Sequence, residues 1–175
     1  MKRKILLVKS LLALSILFVS CDNNNDDIKC PDAITGELTE TETSFSGTWI
    51  LKSVVTEDEI DLTDDDTDNP STNIYAQFSE CERDIVYNFD TTRNYSLKIG
   101  KTADNCDTKQ EQTGTWQLSS NNNLIFVSNC SQQIIAINFN DENTQFSFEG
   151  TYKFLDVDNN IITTKTTYTY ENAIW

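Results

Sequence analysis

From Trp49 onward, large apolar side chains fall on every second residue in one short run after another. That period fits half-buried strands and not amphipathic helices. The runs predicted as strands are 47–56, 83–90, 94–100, 114–119, 124–128, 132–139, 144–156 and 160–170. Their shared faces carry Trp49, Leu51, Ser53 and Val55; Ile85, Tyr87 and Phe89; Tyr95, Leu97 and Ile99; Trp116 and Leu118; Ile135, Ile137 and Phe139; Phe146, Phe148, Tyr152 and Phe154; Tyr168 and Tyr170. Turns rich in Asp, Asn and Ser separate many of them, at 90–93, 119–123, 140–143 and 156–160. Eight strands joined mostly by short links imply an all-β, antiparallel, up-and-down meander, and eight strands close into a barrel. Gly47-Thr48-Trp49 opens the first run and is echoed by Gly114-Thr115-Trp116 and, more weakly, by Gly150-Thr151-Tyr152. A permissive glycine and a β-branched threonine before an aromatic suit a chain bending into a strand whose first inward side chain plugs the core. Because the run at 114 starts near the other end of the barrel, the two tryptophans are expected at different depths.

The chain ahead of these strands has a different character. Residues 1–20 carry a basic n-region (Lys2, Arg3, Lys4, Lys9), an apolar stretch from Leu11 to Val19 and a small Ser20 before Cys21. The apolar run is too short to span a bilayer, so the segment is expected to be a cleaved signal peptide. A cysteine at that place resembles the bacterial lipoprotein signal, which implies lipidation of Cys21 and a membrane anchor. The usual leucine three residues before the cysteine is Phe18 here, with Leu17 one further back; the plain alternative is a secretory signal followed by a chance cysteine. Residues 22–27 (DNNNDD) read as solvated linker and also resemble the surface-export signal of lipoproteins in one group of Gram-negative bacteria. Residues 21–45 are expected to form a flexible tether and 46–175 the barrel domain. About 24 flexible residues would hold the domain roughly 27 Å from the bilayer.

Charge narrows the partners. The leader takes four of the 13 basic residues and none of the 28 acidic ones, leaving nine basic against 28 acidic on the mature chain. Such a surplus repels phosphate backbones and excludes nucleic acid as a partner class. The chain has no histidine, so neither a Ser-His nor a Cys-His nucleophile pair can form, and no enzymatic activity is expected. With Cys21 lipidated, Cys30, Cys81, Cys106 and Cys130 remain for disulfides in an oxidising compartment. Without histidine or any Cys-x-x-Cys pair, a zinc site has no ligands at workable spacing. Asp64, Asp66 and Asp68, and again Asp156, Asp158 and Asn160, have the alternate spacing of a calcium loop. Both lack the glycine and bidentate glutamate of an EF-hand, so solvated acidic turns are expected and no metal or other cofactor.

A Gly-x-Trp motif opening an eight-stranded meander is similar to the lipocalins. The ordered set of Gly47-Thr48-Trp49, Cys81-Glu82-Arg83-Asp84 leading into the strand that ends at Phe89, Cys106, and Gly114-Thr115-Trp116-Gln117-Leu118 resembles the lipocalin-like domains of Gram-negative bacterial lipoproteins. The resemblance covers 45–175 and implies an eight-stranded lipocalin-like barrel on the outer membrane, at its periplasmic face or the cell surface. It implies little about ligand. One departure is 90–94, Asp90-Thr91-Thr92-Arg93-Asn94, which lacks the Asp-Gly turn common in such domains.

The meander assigns ends to the connections. The long ones, 57–82 and 101–113, gather at one end, where a ligand would enter; 57–82 is long enough to be a lid, with Ile74, Tyr75 and Phe78 at helical spacing. Pairing Phe89 near Tyr95 places Cys81 opposite a residue close to Ala103, so Cys81–Cys106 is the expected bridge, leaving Cys30 for Cys130. Two function classes follow. In the first, a small hydrophobic ligand sits in or at the barrel mouth against Trp49, Leu51, Trp116, Leu118, Phe148 and Tyr168. In the second, those side chains are simply core, and a non-catalytic envelope protein meets a protein or glycan partner through its loops and strand edges. A cavity of several hundred Å3 lined by these residues would favour the first class, and a packed interior the second.

Overall fold

The computed structural model describes residues 29–173. The expected signal peptide, Cys21 and the acidic run at 22–27 lie outside the described residues. Helix α1 (Glu40–Phe45) precedes ten strands: β1 (Gly47–Ile60), β2 (Ser71–Asn73), β3 (Ile85–Phe89), β4 (Asn94–Ile99), β5 (Gln110–Leu118), β6 (Asn123–Ser128), β7 (Ser131–Ala136), β8 (Asn138–Phe139), β9 (Gln145–Leu155) and β10 (Ile161–Asn172). A 3-10 turn (Ile74–Gln77) and a short helix α2 (Glu80–Arg83) lie between β2 and β3. All pairings are antiparallel in the order β7-β6-β5-β4-β3-β1-β10-β9-β8, with β2 added to β1. The result is a nearly closed antiparallel barrel, an arrangement that fits a lipocalin-like fold.

Ten strands stand where eight were expected, for two physical reasons. The run at 132–139 divides at Ile137: β7 pairs with β6, whereas β8 pairs with β9 through Asn138–Ser147 and Phe139–Phe146. One stretch of chain thus spans both edges of the sheet. Beyond Ser147, β9 and β7 are unpaired, so a seam stays open at the upper end. The second extra strand comes from the long connection. β3 pairs only with the first residues of β1, from Gly47 to Ile50. Farther up, β2 takes its place, with Val55 opposite Asn73 and Ile60 opposite Ser71. Gln77 fastens this patch by accepting from the Leu62 N–H (2.6 Å) and donating to the Ile60 carbonyl (2.8 Å). The connection expected as a lid is therefore a piece of wall, and its predicted helix is a 3-10 turn with Ile74 buried.

Two further expectations change in detail. The register of β1 shifts between Leu51 and Ser53, and beyond that bulge Val54 faces the core while Val55 is exposed. A one-residue slip inverts every later side chain. β5 begins at Gln110, so Trp116 lies near its lower end, level with Trp49; both rings pack on Phe45, with centroids at 5.8 and 5.0 Å. The two tryptophans share one depth.

The tight turns explain how so few glycines suffice. In 90–93, 119–122 and 156–159 the first residue's N–H and carbonyl bond across the loop, and the fourth residue adopts positive φ: Arg93 (70°), Asn122 (56°) and Asn159 (64°). Asparagine tolerates that region better than most residues, which fits its place in these loops. The turn at 90–94 keeps this form without Asp-Gly because Arg93 occupies the left-handed position.

Ahead of β1, the residues expected to be slack lie along the barrel. Cys30 is bridged to Cys130 at the upper end, and Cys81 to Cys106. The Ile34 N–H donates to Thr115 Oγ1 (2.9 Å), and α1 then carries Phe45 under the barrel floor. The folded unit thus starts before residue 46.

Gly114 lies within β5 opposite Tyr95, and a Cβ there would meet the Val127 carbonyl oxygen and the Tyr95 ring edge at 2.9 Å. Gly114→Ala is expected to lower stability by about 1–3 kcal/mol, the usual cost of overpacking, read as a lower urea midpoint with an unchanged m-value.

Candidate functional site

The aromatic residues proposed from sequence as ligand contacts divide between two zones. Trp49 (1% exposed), Leu51, Trp116 (0%) and Leu118 are buried in the lower barrel. Phe45 packs on the rings of Trp49, Phe89, Trp116, Phe139 and Phe146 at centroid distances of 5.0–5.8 Å. Both indole N–H groups are satisfied, Trp49 donating to the Phe45 carbonyl (2.9 Å) and Trp116 to that of Asp90 (3.1 Å). Phe148 and Tyr168 stack higher up at 5.4 Å, continuing to Tyr170 and Tyr152. Burial pushes the Tyr168 phenol up to about 12 and raises those of Tyr87 and Tyr170 as well, so this zone presents neutral hydroxyls.

Little room remains inside. The gap between Tyr87, Tyr95, Leu97, Gln112, Phe126 and Gln133 offers about 20 Å3 and opens to solvent past the exposed Gln112 and Gln133, space for about one water molecule. Gln112 bridges it by donating to Tyr95 Oη (3.0 Å) and Ser128 Oγ (2.7 Å).

The space lies at the opposite end. Between α1 and the turns at 119–122 and 140–143, a depression of about 660 Å3 is floored by Phe45, Trp49 and Phe139 and walled by Thr41, Ser44, Asn122, Asn138, Asn140, Asp141 and Asn143. A second groove, of about 610 Å3, crosses the outer wall from Asn88 to Thr115; its Thr115 hydroxyl is already occupied by the strap at Ile34. The sequence reading looked for function at the long-loop end and missed the closed-end depression.

α1 holds one wall of that depression in place. Its N-cap Thr39 and Glu42 form a capping box, and Glu42 is fully buried. The Glu42 carboxylate accepts from the Thr39 N–H (2.8 Å), Thr39 Oγ1 (3.0 Å), the Leu118 N–H (3.1 Å), Arg93 Nη2 (3.0 Å) and Arg93 Nη1. Arg93, 5% exposed, also donates to the carbonyls of Gly36 (3.2 Å) and Glu37 (2.7 Å). Desolvation would raise the Glu42 pKa, but these donors outweigh it and hold the carboxyl at about 2. The sequence did contain a signal: Thr39-x-x-Glu42 is a capping box, with Phe45 one turn on.

The acidic loops have an internal role. Asp61 accepts from the N–H groups of Thr63 (3.0 Å) and Asn69 (3.1 Å), and Asp156 from that of Asn160 (2.7 Å). Among the described residues, no three acidic side chains converge as a metal site.

Over residues 23–173 the sequence matches a family described as a domain of unknown function, DUF5004. The chain belongs to this family. The DUF5004 match takes in residues 29–39, which lie along the barrel, and α1 together with the barrel. No curated protein matches the chain.

Glu42→Gln leaves the Arg93 guanidinium buried without its counter-charge, and is expected to cost about 3–5 kcal/mol in urea unfolding. The pH dependence has a definite sign. With a folded pKa of about 2, below the ~4.3 of a free glutamate, Glu42 contributes stability that is complete above the unfolded value. That contribution fades as pH falls toward 2, so the slope of stability across this window is expected to be shallower in Glu42→Gln.

Proposed function

We propose that this protein is a lipocalin-like lipoprotein of the outer membrane that acts as a non-catalytic binding module, meeting its partner outside the barrel. The observation that carries this reading is the contrast between a gap of about 20 Å3 in the upper barrel and a closed-end depression of about 660 Å3. A barrel filled by Phe45, Trp49, Trp116 and Phe146 is a stiff platform, and binding then falls to its ends and edges. The absence of histidine from the sequence removes the usual imidazole chemistry and supports a binding role.

The strap supports an orientation. Cys30 lies nine positions after Cys21, a reach of at most roughly 30 Å, and Cys30 is bridged to Cys130 at the open end. With Cys21 lipidated, the open end lies toward the bilayer and the closed end points away from it. The closed-end depression is then the part of the barrel offered to the surroundings.

A second reading keeps a small hydrophobic ligand at the mouth. It is favoured by the unpaired seam between β7 and β9, beside which Tyr152 is 36% exposed and meets Tyr168 edge to face. Native mass spectrometry on protein extracted from its own host separates the two. The expected mass is the lipidated chain with two disulfides and nothing more, and a co-purifying apolar molecule would return the function to the barrel mouth. Cys21→Ser is expected to move the protein from the membrane to the soluble fraction on fractionation.

A further inference from the structure

We infer that the closed-end depression is a carbohydrate site, taking a short neutral saccharide chain. This deepens the reading that recognition lies outside the barrel, and rests on it. Three properties of the site carry the inference.

The first is its polar lining. Asn122, Asn138 and Asn143 border the depression, and among the described residues their side-chain amides have no hydrogen-bond partner. Asn140 is already engaged, accepting from the Gln145 N–H (2.9 Å) and donating to Thr144 Oγ1 (3.0 Å). A free carboxamide presents a donor pair and an acceptor side by side. Neighbouring sugar hydroxyls, each of which both donates and accepts, match that arrangement. The second property is the floor. Phe139 is half-buried, backed by the buried Phe45 and Trp49, and its exposed part is an apolar surface on which the C–H face of a sugar ring can rest. The third is charge. On a chain with a formal charge of −15, the lining holds one carboxylate, Asp141, and no basic residue. An anionic ligand would find no counter-ion there, whereas a neutral polyol needs none.

The site is also preorganised. Its helix wall is fixed by the Glu42–Arg93 pair, and its turn walls by Asn122 and Asn143 at positive φ. Little ordering entropy is lost on binding to such a rigid surface. The volume of about 660 Å3 falls within the ~300–1,000 Å3 of small-molecule sites.

The test is backbone NMR on the full lipidated chain in a detergent without a sugar headgroup. It is titrated with maltotriose, cellotriose and chitotriose, and with trigalacturonic acid as the anionic control. At least one neutral trisaccharide is expected to shift the amides of 41–45, 122 and 138–143 and the Trp49 indole N–H, with the acid leaving them unmoved. Asn138→Ala removes no internal hydrogen bond and is expected to keep the melting temperature while weakening binding about ten-fold, near the value of one hydrogen-bonded contact. No shift from any neutral trisaccharide at about 10 mM, a limit near −3 kcal/mol of affinity, overturns the assignment. Shifts unaltered by Asn138→Ala overturn it too. A photo-crosslinker at position 138 that captures a polypeptide instead would sink the saccharide while leaving recognition outside the barrel intact. A bound apolar molecule in the native mass spectrum would instead strike the underlying reading.

Discussion

A single carboxylate under the barrel floor holds the lower half of this molecule together. Glu42 caps its own helix through Thr39, takes the Leu118 N–H of β5, and pairs with the Arg93 guanidinium on the β3–β4 turn. Arg93 in turn grips the strap at Gly36 and Glu37. Three stretches of chain far apart in sequence, 36–42, Arg93 and Leu118, meet at one ion pair. Burying two charges is costly unless nearly every lone pair and N–H finds a partner, and here the carboxylate receives five hydrogen bonds. The pair also accounts for a backbone oddity: Arg93 occupies a left-handed position at φ 70° that would ordinarily favour glycine, because the side chain is what the turn must deliver.

From that pair follows the position of Phe45, and from Phe45 the character of the interior. Held at the end of α1, its ring touches five other aromatic rings and fills the floor on which a ligand could otherwise rest. Above it the tyrosines and Gln112 line a gap of about 20 Å3. The plug that closes the barrel is also a wall of the depression beneath it. Filling the inside and shaping the outside are thus one structural event, and the disulfide from Cys30 to Cys130 fixes the other end of the strap leading to it.

Much of the architecture was legible because it is local. Alternation places Tyr87 and Phe89, or Tyr95 and Leu97, on one face without reference to anything distant, and Asp- and Asn-rich turns mark most of the strand ends. The Cys81–Cys106 bridge follows from extending one hairpin ladder by a few residues. The Leu51–Ser53 bulge was not legible, since nothing in Lys52 announces it, and it alone decides that Val54 and not Val55 is core. The break at Ile137 was hidden for the same reason: 132–139 alternates without interruption, and only the partner strand changes.

The candidate site divides along the same line. Its residues are ordinary by themselves: scattered asparagines at turns, a threonine, aromatics already assigned to strands. The capping box at Thr39 and Glu42 was readable, yet the destination of that helix was not, because a six-residue helix carries no information about which cavity it will stop. By itself, then, the sequence determined most of the strands, their antiparallel meander, the acidic surface and the residues available for bridges, all set by nearest neighbours and composition. Tertiary structure alone decided that Phe45 and its aromatic neighbours fill the lower barrel and where a depression remains. Those depend on the meeting of Glu42 with Arg93 across 51 positions, an electrostatic contact that no local pattern encodes.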